Sequence, residues 1–586
     1  MTYWIDILDQ ILIFSIFATS LNLLMGHGGQ VSAAHAGFGA VGGYGAAYLA
    51  QKHGVSFVPS VLIGVALAFV AGLLLSLPAM KLSGEYLILL TLTAQTVALV
   101  VISSVEGLGS EFGLTEVPAA SLFGHDFLRP KEFLPLLAVV AVGVWIICGA
   151  LAASGFGRTL RGIRDDEIAT QALGKNTFLT KVAAFAIASA LAGLGGALLV
   201  YYNGIAAPGL FGFDVSMSII VMVVLGGSGN LLGALLGTTF VVGSAAVFEK
   251  VINLEPEKAG LSRLLAYGLA LTLVLLLRPQ GILPPRAGGA RWRFGRKAAA
   301  APAPVPTDER EHAEHAPASL APPPPDGRAA VLAEREPPPV DDGPVPAPIL
   351  ELRGLSKAFG GVQAVHDLTF ALPEGRTTAL IGPNGAGKTT IFNLITGTLE
   401  PDAGQVLLRG DDITAMPMHQ VARRGVARTF QDVRIFGRIS ALENVRLAVP
   451  GRARNGQDDR SAIERAREQL AFVGLEEHAG TPVADLAFGD QKLVSLARVL
   501  ATGAEVILLD EPASGIDARW LEKTLDLMAA LREQGKTVCI VEHNLEVVER
   551  LADHVVFLEA GTVTAEGTMQ ELKSQSRLVE AYFGMA

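Results

Sequence analysis

The chain has 586 residues, half of them hydrophobic and 17% charged, with a formal net charge of −10. One core does not grow to that length, so several domains are expected, and a positive mean hydropathy is foreign to a wholly soluble protein. No basic face stands out, which leaves no footing for nucleic acid, and the two cysteines, Cys148 and Cys539, exclude a disulfide framework.

The apolar excess fills residues 10 to 280. Runs long enough to cross a bilayer, about 20 residues each, lie near 8–26, 31–50, 56–80, 85–104, 134–153, 178–202, 214–250 and 261–278. So many in succession, with almost no ionised residue inside them, predict an α-helical polytopic membrane domain of about eight to ten spans in the lipid bilayer. The first run lacks a basic flank and a small-residue cleavage site, so it is read as a retained membrane helix.

Loop charge sets the expected orientation. Arg158, Arg161, Arg164 and Lys175 in the 154–177 loop, and Arg286, Arg291, Arg293, Arg296 and Lys297 after 278, are expected inside; the acidic 105–133 loop is expected outside. The 214–250 run must then cross an even number of times. Its break at Gly226-Gly227-Ser228-Gly229-Asn230 fits two short crossings or a re-entrant pair. If all five earlier runs cross, the N-terminus lies outside.

Small residues in 31–50 and in 190–197 predict helices whose backbones approach closely. Asn22, His27, Gln30, His35, Gln95 and Asn203 lie at membrane depth. They either line a path for a small polar solute or serve as caps and interhelical hydrogen bonds.

The stretch from Gly157 to Gly174 reads as one or two short amphipathic helices closed by a glycine cap. Its order, Gly157-Arg158-x-Leu160-Arg161-x-Ile163-Arg164-x-x-Glu167-x-Ala169 ending on Ala172-Leu173-Gly174, resembles the ATPase-coupling loop of the M-type permeases of branched-chain amino acid transporters. Val224-Leu225-Gly226-Gly227-Ser228-Gly229 and Leu277-Arg278-Pro279-Gln280-Gly281 resemble later segments of the same family. The resemblance runs from about residue 15 to 283 and implies a permease domain at 1–284.

Residues 285–348 are rich in Pro and Ala, with scattered charges and no aromatic after Phe294. Such a segment cannot bury a core and is expected to be a disordered linker spanning some tens of Å. It would hold the following domain close to the membrane domain.

That following domain, 349–586, is organised around Gly382-Pro383-Asn384-Gly385-Ala386-Gly387-Lys388-Thr389-Thr390, which satisfies Gly, four residues, Gly-Lys-Thr between an apolar strand and a helix. Gly382, Gly385 and Gly387 let backbone N–H groups of the loop, Asn384 included, point into one concavity, and the helix N-terminus at Lys388, Thr389 and Thr390 adds positive potential. Lys388 is expected on the β/γ-phosphates and the Thr389 hydroxyl on Mg²⁺. Downstream, four apolar residues precede Asp510-Glu511. A buried strand ending in two carboxylates suits one residue, Asp510, holding Mg²⁺ and the other, Glu511, polarising a hydrolytic water.

These features together resemble the ABC ATPases, an α/β P-loop NTPase fold, along the full length of this half. The resemblance implies that Phe359 stacks on adenine, with a core phenylalanine as the competing reading. It also implies that Gln431, in Thr429-Phe430-Gln431, contacts Mg²⁺ or the attacking water, that His543 contacts the γ-phosphate, and that Ser514-Gly515-Ile516-Asp517 is the D-loop. One motif departs from the family: the signature, usually Leu-Ser-Gly-Gly-Gln, reads Leu486-Ala487-Phe488-Gly489-Asp490-Gln491. Ala487 lacks the expected hydroxyl and Asp490 adds an anion, so the composite site using this segment is expected to hydrolyse slowly or chiefly to bind ATP.

ABC ATP sites are shared between two cassettes, and a permease half needs a second half. The resemblance therefore implies a second permease subunit, a second ABC ATPase subunit and an extracytoplasmic solute-binding protein as partners. The 426–444 region and the Tyr582-Phe583-Gly584 ending look most like the G-type ATPase of that family. The expectation is a natural fusion of M-type permease and G-type ATPase, an ATP-driven importer of branched-chain amino acids in the inner membrane. Urea, short amides or aromatic acids are alternative solutes. A non-transporting membrane ATPase is disfavoured by the shortness of the outer loops, and an exporter by the coupling-loop resemblance.

Overall fold

The computed structural model describes residues 2–246, 268–284, 346–450, 456–515 and 518–574, apart from positions 83, 123–124, 128, 270, 275 and 279. Most of the expected run at 261–278, positions 285–345 of the expected 285–348 linker, Ile516-Asp517 and the Tyr582-Phe583-Gly584 ending lie outside the described residues; the last residue of that expected linker, Pro348, instead opens a strand and pairs with Pro373. The chain divides into two compact units, residues 1–170 with 175–286 and residues 171–174 with 287–586.

The first unit is helical, with α1 (Thr2–Leu21), α2 (His35–His53), α3 (Phe57–Ala79), α4 (Glu85–Ser104), α5 (Pro130–Ala153), α6 (Gly155–Asp165), α7 (Glu167–Ala172), α8 (Thr177–Asn203), α9 (Phe213–Gly226) and α10 (Leu231–Ala246), and one short antiparallel pair of strands, β1 (Ala120–Leu122) and β2 (His125–Phe127), between α4 and α5. Among the described residues six helices are long and apolar enough to cross a membrane, Tyr3–His27, Phe57–Ala79, Glu85–Ser104, Pro130–Ala153, Thr177–Asn203 and Pro208–Gly226. The glycine-rich α2 is a full helix but a less apolar one.

Glycine explains the packing at the centre. A Cβ on Gly196 of α8 would stand 2.0 Å from the Gly39 carbonyl oxygen of α2, one on Gly42 would stand 2.4 Å from that of Gly193, and one on Gly64 of α3 would stand 2.4 Å from that of Gly42. Helix backbones thus touch where composition predicted, which is how a bundle coheres without a hydrophobic drive between its helices. Helices α3, α4 and α5 instead expose Leu62, Leu74, Val97, Val139 and Ile146, side chains suited to an apolar surrounding.

The expected break is real. Helix α9 ends at Gly226, Gly227 and Gly229 take φ of 114° and 87°, and α10 begins at Leu231. Alone, the 14 residues of α9 span about 21 Å, and only together with the 3₁₀ turn Pro208–Phe211 before it does Pro208–Gly226 approach the roughly 30 Å hydrocarbon core. Asn22, in a π-helical turn over Asn22–His27, clamps the break: its Nδ2 donates to the Asn230 carbonyl at 3.0 Å and its Oδ1 accepts from the Gly229 N–H at 2.7 Å.

Most of the polar residues at membrane depth are bonded within the bundle. Gln95 Nε2 donates to the Phe211 carbonyl and its Oε1 accepts from Ser216 Oγ at 2.6 Å; Asn203 Nδ2 donates to Leu199 O; Gln30 Nε2 reaches Met80 Sδ at 3.5 Å. Only His27 and His35 of the six are buried with both ring nitrogens unpartnered among the described residues.

The arginine-bearing stretch forms two helices, α6 and α7. Helix α6 buries Leu160 and Ile163, Asp166 Oδ1 caps α7 by accepting from the Ala169 N–H at 2.8 Å, and Gly174 follows at φ 76°. Arg161 Nη1 donates to Ala152 O, Arg164 to Gly26 O, and Lys181 pairs with Glu167 at 2.9 Å.

The second unit holds an antiparallel sheet of β3 (Pro348–Phe359), β4 (Val362–Pro373), β6 (Ala403–Leu408) and β7 (Asp411–Asp412), ordered β4-β3-β6-β7. Its larger sheet runs β12-β11-β5-β10-β9-β8, built from β5 (Thr377–Ile381), β8 (Val426–Arg428), β9 (Val506–Asp510), β10 (Thr537–Val541), β11 (His554–Glu559) and β12 (Thr562–Gly567). Strands β5, β9 and β10 are buried along their whole length, as the near-continuous apolar runs of a parallel sheet require. Strand β5 lies between β10 and β11, and β9 between β10 and β8. The C-terminal ends of β5, β8, β9 and β10 therefore deliver the Gly382 loop, Thr429 to Gln431, Asp510-Glu511 and Glu542-His543 to one edge, where ligands of open α/β sheets bind.

Candidate nucleotide site

The loop after β5 opens helix α11 (Lys388–Ile395). Gly387 takes φ 92°, and a Cβ there would stand 2.4 Å from the Ala364 carbonyl oxygen; Gly385, at φ 84°, faces open space. Both conformations favour glycine. Lys388 is 7% exposed, and its Nζ donates to the carbonyls of Gly382 at 2.7 Å and Pro383 at 2.9 Å. Burial pushes its ammonium below the usual lysine range, opposed by the carboxylates of Glu511 and Asp510. Asn384 and Thr389 are exposed at the mouth of the loop, with Thr390 half-buried beside them.

Three segments far apart in sequence meet on one carboxylate. Glu511 Oε1 accepts from His543 Nε2 at 2.8 Å and from Gln431 Nε2 at 3.3 Å. Glu511 itself sits at φ 49°, the left-handed region that costs a non-glycine residue about 1–3 kcal/mol unless its surroundings hold it there. Its N–H donates to the Val541 carbonyl at 2.9 Å.

Beside it, Asp510 is buried, with Arg428 at 3.5 Å and neither carboxylate oxygen in a hydrogen bond among the described residues. Burial raises its pKa, opposed first by Arg428. An unsatisfied buried carboxylate at a strand end is a donor suited to a hard divalent cation. Arg428 lies 4.5 Å from the Phe430 ring and donates to Asn393 Oδ1 at 2.5 Å; burial lowers its pKa to about 10. Phe359, at the end of β3, is 46% exposed. A core phenylalanine is not exposed to that degree.

Ala487 is the N-cap of α12 (Phe488–Ala501) and supplies no side-chain cap; Phe488 is exposed, and Asp490 lies in the first turn. There an anion meets the positive end of the helix dipole.

Sequence reasoning passed over three residues: Arg428, Lys492 and Glu542. Lys492 donates to the carbonyls of Glu511 and Ser514, and the Glu542 carboxylate accepts from the Ala513 N–H at 2.8 Å. Glu542 carried a legible signal, since Glu542-His543 ends an apolar strand as Asp510-Glu511 does. Arg428 and Lys492 carried none, because their partners are set by tertiary structure.

A family profile described as "Branched-chain amino acid transport system / permease component" matches residues 3–277, and one described as "ABC transporter" matches residues 365–514. The high-affinity branched-chain amino acid transport ATP-binding protein BraF of Pseudomonas aeruginosa is 36% identical over 252 residues, 41% of this chain and 99% of that protein. LivG of Escherichia coli K12, of the same description, is 35% identical over the same shares, and a probable LivG of Archaeoglobus fulgidus is 32% identical over 40% of this chain and 95% of that protein. The second unit binds ATP and hydrolyses it in support of transport, and the first is a membrane permease unit. The chain belongs to the branched-chain amino acid family of ABC transporters and carries a permease component and an ATP-binding component in one polypeptide.

Proposed function

We propose that the chain is the M-type permease and G-type motor of an importer that moves branched-chain amino acids inward across the inner membrane. Residues 1–284 form the pore half, 285–347 the tether and 348–586 the cassette. The observation that carries the reading is the convergence of Gln431 and His543 on Glu511, in a chain whose other unit matches a permease of the same transport system.

In this reading Phe359 stacks on adenine and the N–H groups of Gly382, Asn384, Gly385 and Gly387 cradle the phosphates. Lys388 leaves the Gly382 and Pro383 carbonyls for the β/γ-phosphates, and Thr390 supports the helix start. Thr389, Gln431 and Asp510 would hold Mg²⁺, which would supply positive charge against the phosphoryl group being transferred. Glu511 orients the water and accepts its proton, and His543 fixes the carboxylate that does so while reaching the γ-phosphate. A second permease subunit, a second cassette and an extracytoplasmic solute-binding protein complete the assembly.

Uptake of labelled leucine, urea and benzoate by vesicles holding the assembled complex, with and without binding protein, tests the reading. ATP-dependent accumulation of leucine supports it. Accumulation of urea or benzoate instead moves the substrate class, and ATP turnover without uptake of any of the three contradicts import.

A further inference from the structure

The backbone of Glu511 is held from two directions. Its N–H donates to Val541 at the end of β10. Its carbonyl accepts from Lys492 Nζ at 3.1 Å, and the same ammonium donates to the Ser514 carbonyl three residues on. Lys492 does not belong to the Glu511 loop or to the sheet. It lies on α12, the helix that opens at the signature residues Ala487 to Gln491.

The signature turn also packs by shape, against Gly515 of the same loop and against Trp520 of the helix Ala518–Glu533 that follows it. A Cβ on Gly489 would stand 2.7 Å from atoms of the Trp520 ring, and one on Gly515 would stand 3.5 Å from the Phe488 ring. Lys492 Nζ is also 5.5 Å from the Phe488 ring centroid. A residue at φ 49° keeps that conformation only where its surroundings over-determine it. Removing the ammonium would leave the Glu511 carbonyl without this partner and free the loop to relax, carrying the carboxylate away from Gln431 and His543.

We infer that Lys492 is a positioning residue that ties the signature helix to the backbone of Glu511, so that the seating of the signature governs the placement of the catalytic carboxylate of the same chain. The inference rests on the proposed role of Glu511. Because a signature closes the ATP site of the opposite cassette, this tie is a direct route by which the occupancy of one site reaches the base of the other. The linkage is two hydrogen bonds from one side chain, and it is open to substitution without touching the phosphate loop or either carboxylate.

The test uses the full chain assembled with its partner subunits. Lys492→Met keeps the stem and removes the donors; Lys492→Arg restores donors. For Lys492→Met the expected result is a fall in kcat of tenfold or more, with KM for ATP and the Kd of a fluorescent ATP analogue changed less than twofold and the thermal midpoint unchanged. Lys492→Arg should recover at least half of kcat. In a Glu511→Gln background, Lys492→Met should change the residual rate less than twofold, because the group it positions is already gone. A wild-type-like kcat in Lys492→Met, a loss of nucleotide affinity in step with kcat, or a further tenfold loss in the Glu511→Gln background would each overturn the inference. If Glu511→Gln alone leaves kcat intact, the role given to Glu511 fails, and the inference falls with it.

Discussion

His543 Nε2 stands 2.8 Å from Glu511 Oε1, and Gln431 Nε2 reaches the same oxygen at 3.3 Å. A carboxylate fixed from two sides is pre-set to receive a proton from water in one direction. Glu511→Gln is therefore expected to lower kcat for ATP by at least about a hundredfold with nucleotide affinity kept, the range of a lost general base. His543→Ala should cost less, about tenfold or more, because the carboxylate remains. Steady-state ATPase measurements beside nucleotide titration check both, and equal losses of kcat and affinity would contradict the assignment.

Ala487 begins the signature helix without a hydroxyl. Ala487→Ser supplies one to the opposing γ-phosphate, and ATPase activity of the assembled complex should rise about threefold or more, within what one charge-assisted hydrogen bond supplies. An unchanged rate would show that the altered signature is not what limits hydrolysis.

Arg428 and Asp510 form an ion pair whose side chains are 2% and 1% exposed. Removing one member of such a pair strands the other in a low dielectric. Arg428→Met is expected to destabilise the ATPase unit by about 3–5 kcal/mol. That is a drop of about 10 °C in a thermal melt followed through Trp520, by the scaling for a domain of this size. A shift under two degrees would show that the pair contributes nothing net.

Burial pushes the Glu542 carboxyl above the usual range, while the N–H groups of Ala513 and His543 pull the other way. The folded state then holds this proton more tightly than the unfolded chain, whose glutamate titrates near pH 4.3. As pH falls through the folded pKa the native state binds more protons than the unfolded one, so this contribution to stability grows down to that lower value. The thermal midpoint of wild type minus that of Glu542→Gln should grow as pH is lowered from neutrality toward the unfolded value of about 4.3. A decrease would reverse the assigned cause.

In the membrane unit, Gly196→Ala puts a methyl 2.0 Å from the Gly39 carbonyl oxygen, whereas Gly143→Ala meets nothing within 4 Å. Overpacking of that kind costs about 1–3 kcal/mol. The first substitution should lower the yield of folded transporter and its uptake, and the second should leave both unchanged. Both should bind ATP as wild type does.

The nucleotide site was legible because its pieces are contiguous motifs. Lys388 follows its glycines, and Asp510 and Glu511 follow four apolar residues, so strand, turn and charge read off together. The close helix contacts of Gly39, Gly42, Gly193 and Gly196 were legible from composition, since only small residues permit them. The fate of Asn22 and Gln95 was not. A polar side chain in an apolar run looks the same whether it faces a path or bonds to Asn230 or Ser216, and the partner lies 100 residues or more away. The left-handed Glu511 and the lysine that holds its carbonyl were equally hidden, because a strained φ depends on contacts made only when the sheet and α12 are in place.

The central claim is that ATP turnover at the Lys388 and Glu511 site drives solute through the helical unit of the same chain. It is tested most directly by accumulation of labelled leucine in vesicles bearing the assembled complex, comparing wild type with Lys388→Ala. Uphill accumulation that depends on ATP is expected for wild type, and none above background for the variant. Accumulation by Lys388→Ala against the gradient at the wild-type rate would contradict it.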